Sequence, residues 1–103
     1  MSDAAFSIRQ GAHAGEILMS GRLDASQCDA ALAFLNAVKQ PEVIDLAGLD
    51  YIASAGLRVI LMTVKRCNAQ GSGVRLINVC APIYDIFHYA GFDQILDISR
   101  AAN

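Results

Sequence analysis

Phe6 and Ile8 alternate with polar neighbours near the start of the chain, and Ile17 and Met19 do the same a few residues later. A two-residue period turns one side of each segment towards a core, so it predicts two strands. Between them Gly11-Ala12-His13-Ala14-Gly15 forms a glycine-flanked loop that suits a hairpin. After Gly21-Arg22-Leu23-Asp24 the period changes. Cys28, Ala31, Leu32 and Leu35 recur at helical spacing, and Val38 extends the stripe. Asp24 and Gln27 stand at the separation of a capping box, and Pro41 ends the helix. Val43-Ile44-Asp45-Leu46 predicts a short strand buried on both faces, followed by a turn that includes Asp50. Leu57, Ile60, Leu61, Val64 and Cys67 mark a second helix with Ser54 at its start and Gly71-Ser72-Gly73 at its end. Val74-Arg75-Leu76-Ile77 predicts the next strand. Pro82 fits the first turn of a third helix, with Ile83, Ile86, Phe87 and Ala90 inward and Gly91 as its stop. Residues 95–98 predict the last strand, and 99–103 a frayed tail.

The order is β-β-α-β-α-β-α-β over a single domain, 1–103. Such alternation predicts an α/β fold: a mostly parallel sheet with an N-terminal β-hairpin and helical cover. In parallel strands the carboxyl ends share one edge, where such sheets usually bind. Residues 21–24, 47–54 and 78–82 therefore gather there. The loop carrying His13 falls on the opposite edge, and His88, late in the third helix, has travelled away as well.

Hydrophobic residues make up 54% of the chain and charged ones 17%, a balance that excludes disorder. With 8 basic against 10 acidic residues the net charge is −2, so nucleic-acid binding has no electrostatic footing. No apolar run reaches the ~20 residues of a membrane span. The first six residues lack the parts of a signal peptide. Cys28, Cys67 and Cys80 are odd in number and form no Cys-x-x-Cys pair, which fits core thiols in a reducing compartment and a cytoplasmic location.

Ser54 is the candidate of most interest. At a helix start its hydroxyl meets unpartnered backbone N–H groups; unmodified it can cap the helix, and phosphorylated it would place about −1.5 to −2 charge there. Most serines so placed are plain caps contributing about 1 kcal/mol. Asp24 is likewise an ordinary cap, and Gly21 and Gly56 permit close backbone approach. A Ser-His-acid triad needs an imidazole within reach of Ser54, and neither histidine provides one. Asp45 lies within a strand and Asp50 in a turn, which argues against a catalytic pair. The histidines and cysteines match no metal-ligand spacing, and no cofactor is implied. On a helical wheel Arg58, Met62 and Arg66 lie away from the apolar stripe with Val59 beside them. That face is either solvated or, given the preference of methionine and arginine for interfaces, a docking surface.

Taken together, these residues resemble the STAS domain, specifically the stand-alone anti-sigma factor antagonists (anti-anti-sigma factors) of bacteria. Gly21-Arg22-Leu23-Asp24 is similar to the family's Gly-x-Leu-Asp segment. Residues 45–57 resemble its Asp-Leu-x-x-Val-x-Phe/Tyr-Ile/Met-Asp-Ser-Ser/Thr/Ala-Gly-Leu signature, and residues 82–92 its third helix. The resemblance implies a non-enzymatic switch. Ser54 aligns with the serine that a partner kinase, itself the anti-sigma factor, phosphorylates; phosphorylation breaks the complex, and a PP2C-type phosphatase resets it. Partner contacts are then expected at Arg22, Asp24, Ser54, Ala55, Gly56, Arg58, Val59, Met62 and Arg66. Ala53 stands where the family commonly has aspartate, and Arg58 where many members carry glycine. Little chain follows Ile98 for the short C-terminal helix of many members. Two alternatives stay open: a constitutive STAS subunit of a transporter or stressosome-like assembly, and a small-ligand or nucleotide sensor at the carboxyl edge of the sheet.

Overall fold

The structure, a computed structural model, describes residues 5–101. Strand β1 (Ser7–Gln10) pairs antiparallel with β2 (Glu16–Leu23). A 3-10 turn (Ala25–Gln27) then leads into α1 (Cys28–Ala37), β3 (Val43–Ile52), α2 (Ser54–Ala69), β4 (Arg75–Val79), α3 (Ala81–Tyr89), a second 3-10 turn (Phe92–Gln94) and β5 (Asp97–Arg100). The sheet order is β1-β2-β3-β4-β5, with every pair after the first parallel. The predicted element order is therefore the observed one.

Because the parallel strands advance in one direction across the sheet, right-handed crossovers put all three helices on the same face. Burial follows that arrangement. Ile17, Met19 and Leu23 of β2, Ile44 and Leu46 of β3, and Leu76 and Val79 of β4 are buried, while Leu18, Ser20, Asp45 and Ile77 between them are only partly so. The strands are thus covered on one face, not buried on both as the apolar run at 43–46 predicts. Leu35 of α1, Ile60 of α2 and Phe87 of α3 are fully buried and join these strand residues in one apolar core. Each such side chain stabilises the fold by roughly 1.5–3 kcal/mol relative to exposure.

Several boundaries differ from the sequence pattern for local reasons. β3 continues to Ile52 where a turn was expected, by way of two irregularities. Leu18 and Ser20 of β2 face Asp45 and Gly48, and Gly21 and Arg22 face Leu49 and Tyr51, so β3 carries an extra residue at each step. Asp45 supports the first, accepting from the Ala47 N–H at 2.9 Å through Oδ1 and from Asn78 Nδ2 at 3.1 Å through Oδ2. Asp50 is the extra residue of the second and belongs to the strand. Asp24 does cap, but its partner is Ser26 (N–H at 3.1 Å, Oγ at 2.7 Å), because the chain first makes a 3-10 turn. At the end of α2 Gly71, at φ +85°, donates to Asn68 while Ser72 donates to Cys67, a Schellman closure that needs a left-handed residue. Residues 99–100, expected to fray, pair within β5, and the Ala101 N–H reaches the Val79 carbonyl at 2.9 Å. Residues 102–103, the rest of that tail, and residues 1–4, most of the segment read for a signal peptide, lie outside the described residues.

Candidate functional site

The site is built where β2 and β3 end together. Leu23 and Ile52 are register partners, and the Ala53 N–H donates to the Leu23 carbonyl at 2.9 Å, which fixes the point from which α2 departs. Gly56 brings the first turn of α2 down onto the sheet. A Cβ there would stand 2.9 Å from Ile52 Cγ1 and 2.9 Å from Leu23 Cγ, so no larger residue fits without displacement. Residues 21–24 and 47–54 do meet at this edge. β4 joins them through Cys80, whose thiol approaches the Leu49 carbonyl at 3.8 Å.

Ser54 is exposed as the first residue of α2, but it is not the cap. The capping position belongs to Ala53, extended at φ −83° and ψ 166°, with no side chain able to bond the helix. The Ser54 hydroxyl has no hydrogen-bond partner among the described residues and points into solvent at the head of an outer stripe. Arg58, Met62 and Lys65 continue that stripe at i+4, i+8 and i+11, all exposed, Met62 at 47%.

Two residues expected on this face are elsewhere. Val59 is buried at 6% exposure. Arg66 folds across to α1 and donates from Nη2 to the Leu35 carbonyl at 3.0 Å, with its Nε buried and unpartnered. Seven residues apart, Val59 and Arg66 share the side of α2 that packs on α1, so neither offers a free docking group. Gly56 is buried and Ala55 half-buried; they shape the first turn rather than project from it. Arg22 is exposed, but its guanidinium stacks on the Tyr51 ring at 4.2 Å from the centroid. Asp24 is partly exposed and occupied by Ser26. Tyr51 and Lys65 were missed by the sequence reading. Lys65 shares the i+4, i+7 spacing of the exposed stripe, whereas the Arg22–Tyr51 pairing requires the second β3 irregularity.

The other candidate groups lie apart. His13 sits in the β1–β2 loop, one eight-residue strand (about 26 Å) from the Ser54 edge. His88 bonds Asp93 through Nδ1 at 2.7 Å beyond the far end of α3. Cys28 and Cys67 are buried and Cys80 half-buried, all free. Burial pushes the Cys28 thiol up, reinforced by Asp24 and then Asp29. Among the described residues no group of His, Cys, Asp and Glu could hold a metal ion, and no helix is long and apolar enough to cross a membrane. A surface cavity of about 600 Å³, lined by Glu42, Asn68, Arg75 and Asp97, opens at the amino edge of the sheet, away from Ser54.

A mostly parallel sheet covered by helices on one face, with an exposed serine heading a solvent-facing stripe at its carboxyl edge, defines a small α/β domain. The chain belongs to the STAS domain family: the family model described as "Mlab, STAS domain" matches residues 6–97. Proteins similar to it carry the name anti-sigma factor antagonist. A Bordetella bronchiseptica protein named as an anti-sigma factor antagonist, BtrV, is 32% identical over 79 residues, covering 76% of this chain and 68% of that one. In structure the chain is similar to an anti-sigma factor antagonist from Mycobacterium paratuberculosis, with a TM-score of 0.80 at 22% identity over 92% of this chain and 86% of that one. It is also similar to the Bacillus cell fate determinant SpoIIAA in its phosphorylated form, with a TM-score of 0.66 at 17% identity over 91% and 90% of the two chains.

Proposed function

We propose that the protein is a phospho-switched antagonist that binds an anti-sigma factor with serine-kinase activity while Ser54 is unmodified and is released when Ser54 is phosphorylated. The observation that carries this reading is the free, solvent-facing Ser54 hydroxyl at the head of the Arg58–Met62 stripe. The existence of a phosphorylated form of SpoIIAA, which shares the fold, supports it. In the transfer, Ser54 Oγ forms a bond to the γ-phosphorus of ATP held by the kinase. The bond to the β-phosphate oxygen breaks, ADP leaves, and the hydroxyl proton passes to a base on the kinase. A PP2C-type phosphatase then hydrolyses the phosphoserine. Phosphate at this position opposes docking by added charge and desolvation cost, and nothing in the core beneath has to move. Three free cysteines and dependence on ATP fit a cytoplasmic setting.

The test is to incubate the protein with ATP and each purified anti-sigma kinase of its own genome, then map modified residues by mass spectrometry. Incorporation at Ser54, abolished in Ser54→Ala, is the expected result, together with weaker kinase binding by Ser54→Asp. No incorporation by any kinase, or equal affinity of Ser54→Asp and wild type, overturns the reading. A second reading, a constitutive subunit of a transporter or stressosome-like assembly, is favoured by Ala53, which puts a methyl group where the family commonly has a carboxylate. Neighbouring genes discriminate: kinase and phosphatase genes favour the switch, transporter genes the subunit.

A further inference from the structure

We propose that Arg58 is the residue that registers the state of Ser54: its guanidinium captures the phosphate on Ser54 within α2, and in the unmodified protein it is left free for a carboxylate of the anti-sigma partner. This rests on the reading of Ser54 as phosphoacceptor.

The three arginines expected at the site differ in how they are engaged. Arg22 lies over Tyr51 and Arg66 is tied to the Leu35 carbonyl. Arg58 is exposed with neither kind of contact, and among the described residues no carboxylate pairs with it. In a chain of net charge −2 an unengaged cation here is not part of a general basic surface. Ser54 and Arg58 are four residues apart on one exposed face of α2, about 6 Å along the axis, with the future anion N-terminal to the cation, the favoured order for an i, i+4 pair. A guanidinium also matches two phosphate oxygens at once, which an ammonium does not. Lys65, the next cation on the stripe, is eleven residues on, about 16 Å, and out of reach.

Capture changes the docking face twice over. It adds the phosphate charge, about −1.5 to −2, and removes from the partner the cation that would have met its acidic group. The Ser54–Arg58 pair thereby passes from about +1 to about −1 without any change in backbone.

Phosphoserine installed at position 54 of the full chain by genetic code expansion tests this without a kinase. The second ionisation of the phosphate is followed by phosphorus NMR in the otherwise wild-type chain, in Arg58→Ala and in Arg58→Lys, with urea melts confirming that each is folded. The wild-type phosphate is expected to titrate about 0.3 pH unit below that of Arg58→Ala, with Arg58→Lys recovering part of the difference. Coincident curves for wild type and Arg58→Ala overturn the proposal. That failure is separate from failure of the phosphoacceptor reading, which would appear as no ATP-dependent labelling of Ser54 whatever the titration showed.

Discussion

Arg66 Nη2 donates to the carbonyl oxygen of Leu35 at 3.0 Å, a contact that withdraws the guanidinium from the α2 stripe headed by Ser54 and fastens α2 to the last turn of α1. That turn is short of intrahelical donors, and the Leu35 carbonyl otherwise meets the Val38 N–H at 3.3 Å. Arg66→Ala is therefore expected to destabilise the fold by about 1–2 kcal/mol in urea denaturation, because a charged donor to a buried carbonyl is lost. Its affinity for the anti-sigma partner should stay within about twofold of wild type, as expected of a surface position outside the contact. Arg58→Ala should show the reverse pattern. A loss of affinity in Arg66→Ala without loss of stability would return Arg66 to the docking face.

Gly56→Ala opposes two effects of known size. Alanine gains about 1 kcal/mol in helix propensity over glycine. The added methyl, however, stands 2.9 Å from both Ile52 Cγ1 and Leu23 Cγ, and overpacking of this kind costs about 1–3 kcal/mol. A net loss of about 1 kcal/mol is expected, with the start of α2 lifted from the strand ends and slower phosphorylation of Ser54. A variant as stable as wild type and phosphorylated at the same rate would show that the contact is not what seats the helix.

The order of elements was legible because each helix has a continuous apolar stripe and each core strand a short apolar run, signals that depend only on near neighbours. What could not be read depends on neighbours distant in sequence. Val59 sits at the margin of the α2 stripe, and on an isolated wheel it belongs with Arg58 and Met62. α2, however, lies between its neighbouring helices on one face of the sheet, so its buried arc is broad enough to include Val59 and to lead Arg66 across to Leu35. The 47–52 segment carries Gly48 and Asp50, residue types common in turns. It is held as strand by β2 alongside it and by Asp45 bridging Ala47 and Asn78. Ser54 was found in sequence by its place at a helix start, and the set of contacts around it by motif resemblance. Their engagement, which separates Arg58 from Arg22 and Arg66, exists only in three dimensions.

The His88–Asp93 contact makes acid stability testable. The hydrogen bond with His88 is the main influence holding the Asp93 carboxyl below the usual carboxylate range, with burial opposing it. Unfolded, the same carboxyl titrates near 3.9. Just below that value the unfolded chain binds more protons than the folded one, so stability rises with pH across the interval. The contribution is complete above about pH 5 and is lost as pH falls through the unfolded value towards the lowered folded one. Urea midpoints measured from pH 5 down to pH 2 should therefore fall less steeply in Asp93→Asn than in wild type. Parallel profiles would mean that the carboxyl is not stabilised in its charged form.

Ala53 holds the capping position of α2 and Ser54 is the proposed phosphoacceptor, and paired substitutions separate the two roles. Ser54 makes no capping bond, so Ser54→Ala should change stability by less than about 0.5 kcal/mol, well below the ~1 kcal/mol typical when a true cap is removed. Ala53 already has the extended backbone of a capping residue but no acceptor. Ala53→Asp should supply one and gain about 0.5–2 kcal/mol, aided by a carboxylate at the positive end of α2. That substitution also provides the carboxylate that the family commonly has before its serine. Thermal melts of the two variants test the stability claim, and phosphorylation rates of Ala53→Asp against wild type test whether the aspartate serves the helix or the kinase. A stabilised protein with an unchanged rate assigns it to the helix. A raised rate assigns it to recognition, and a large destabilisation by Ser54→Ala would contradict the free hydroxyl on which the proposed switch depends.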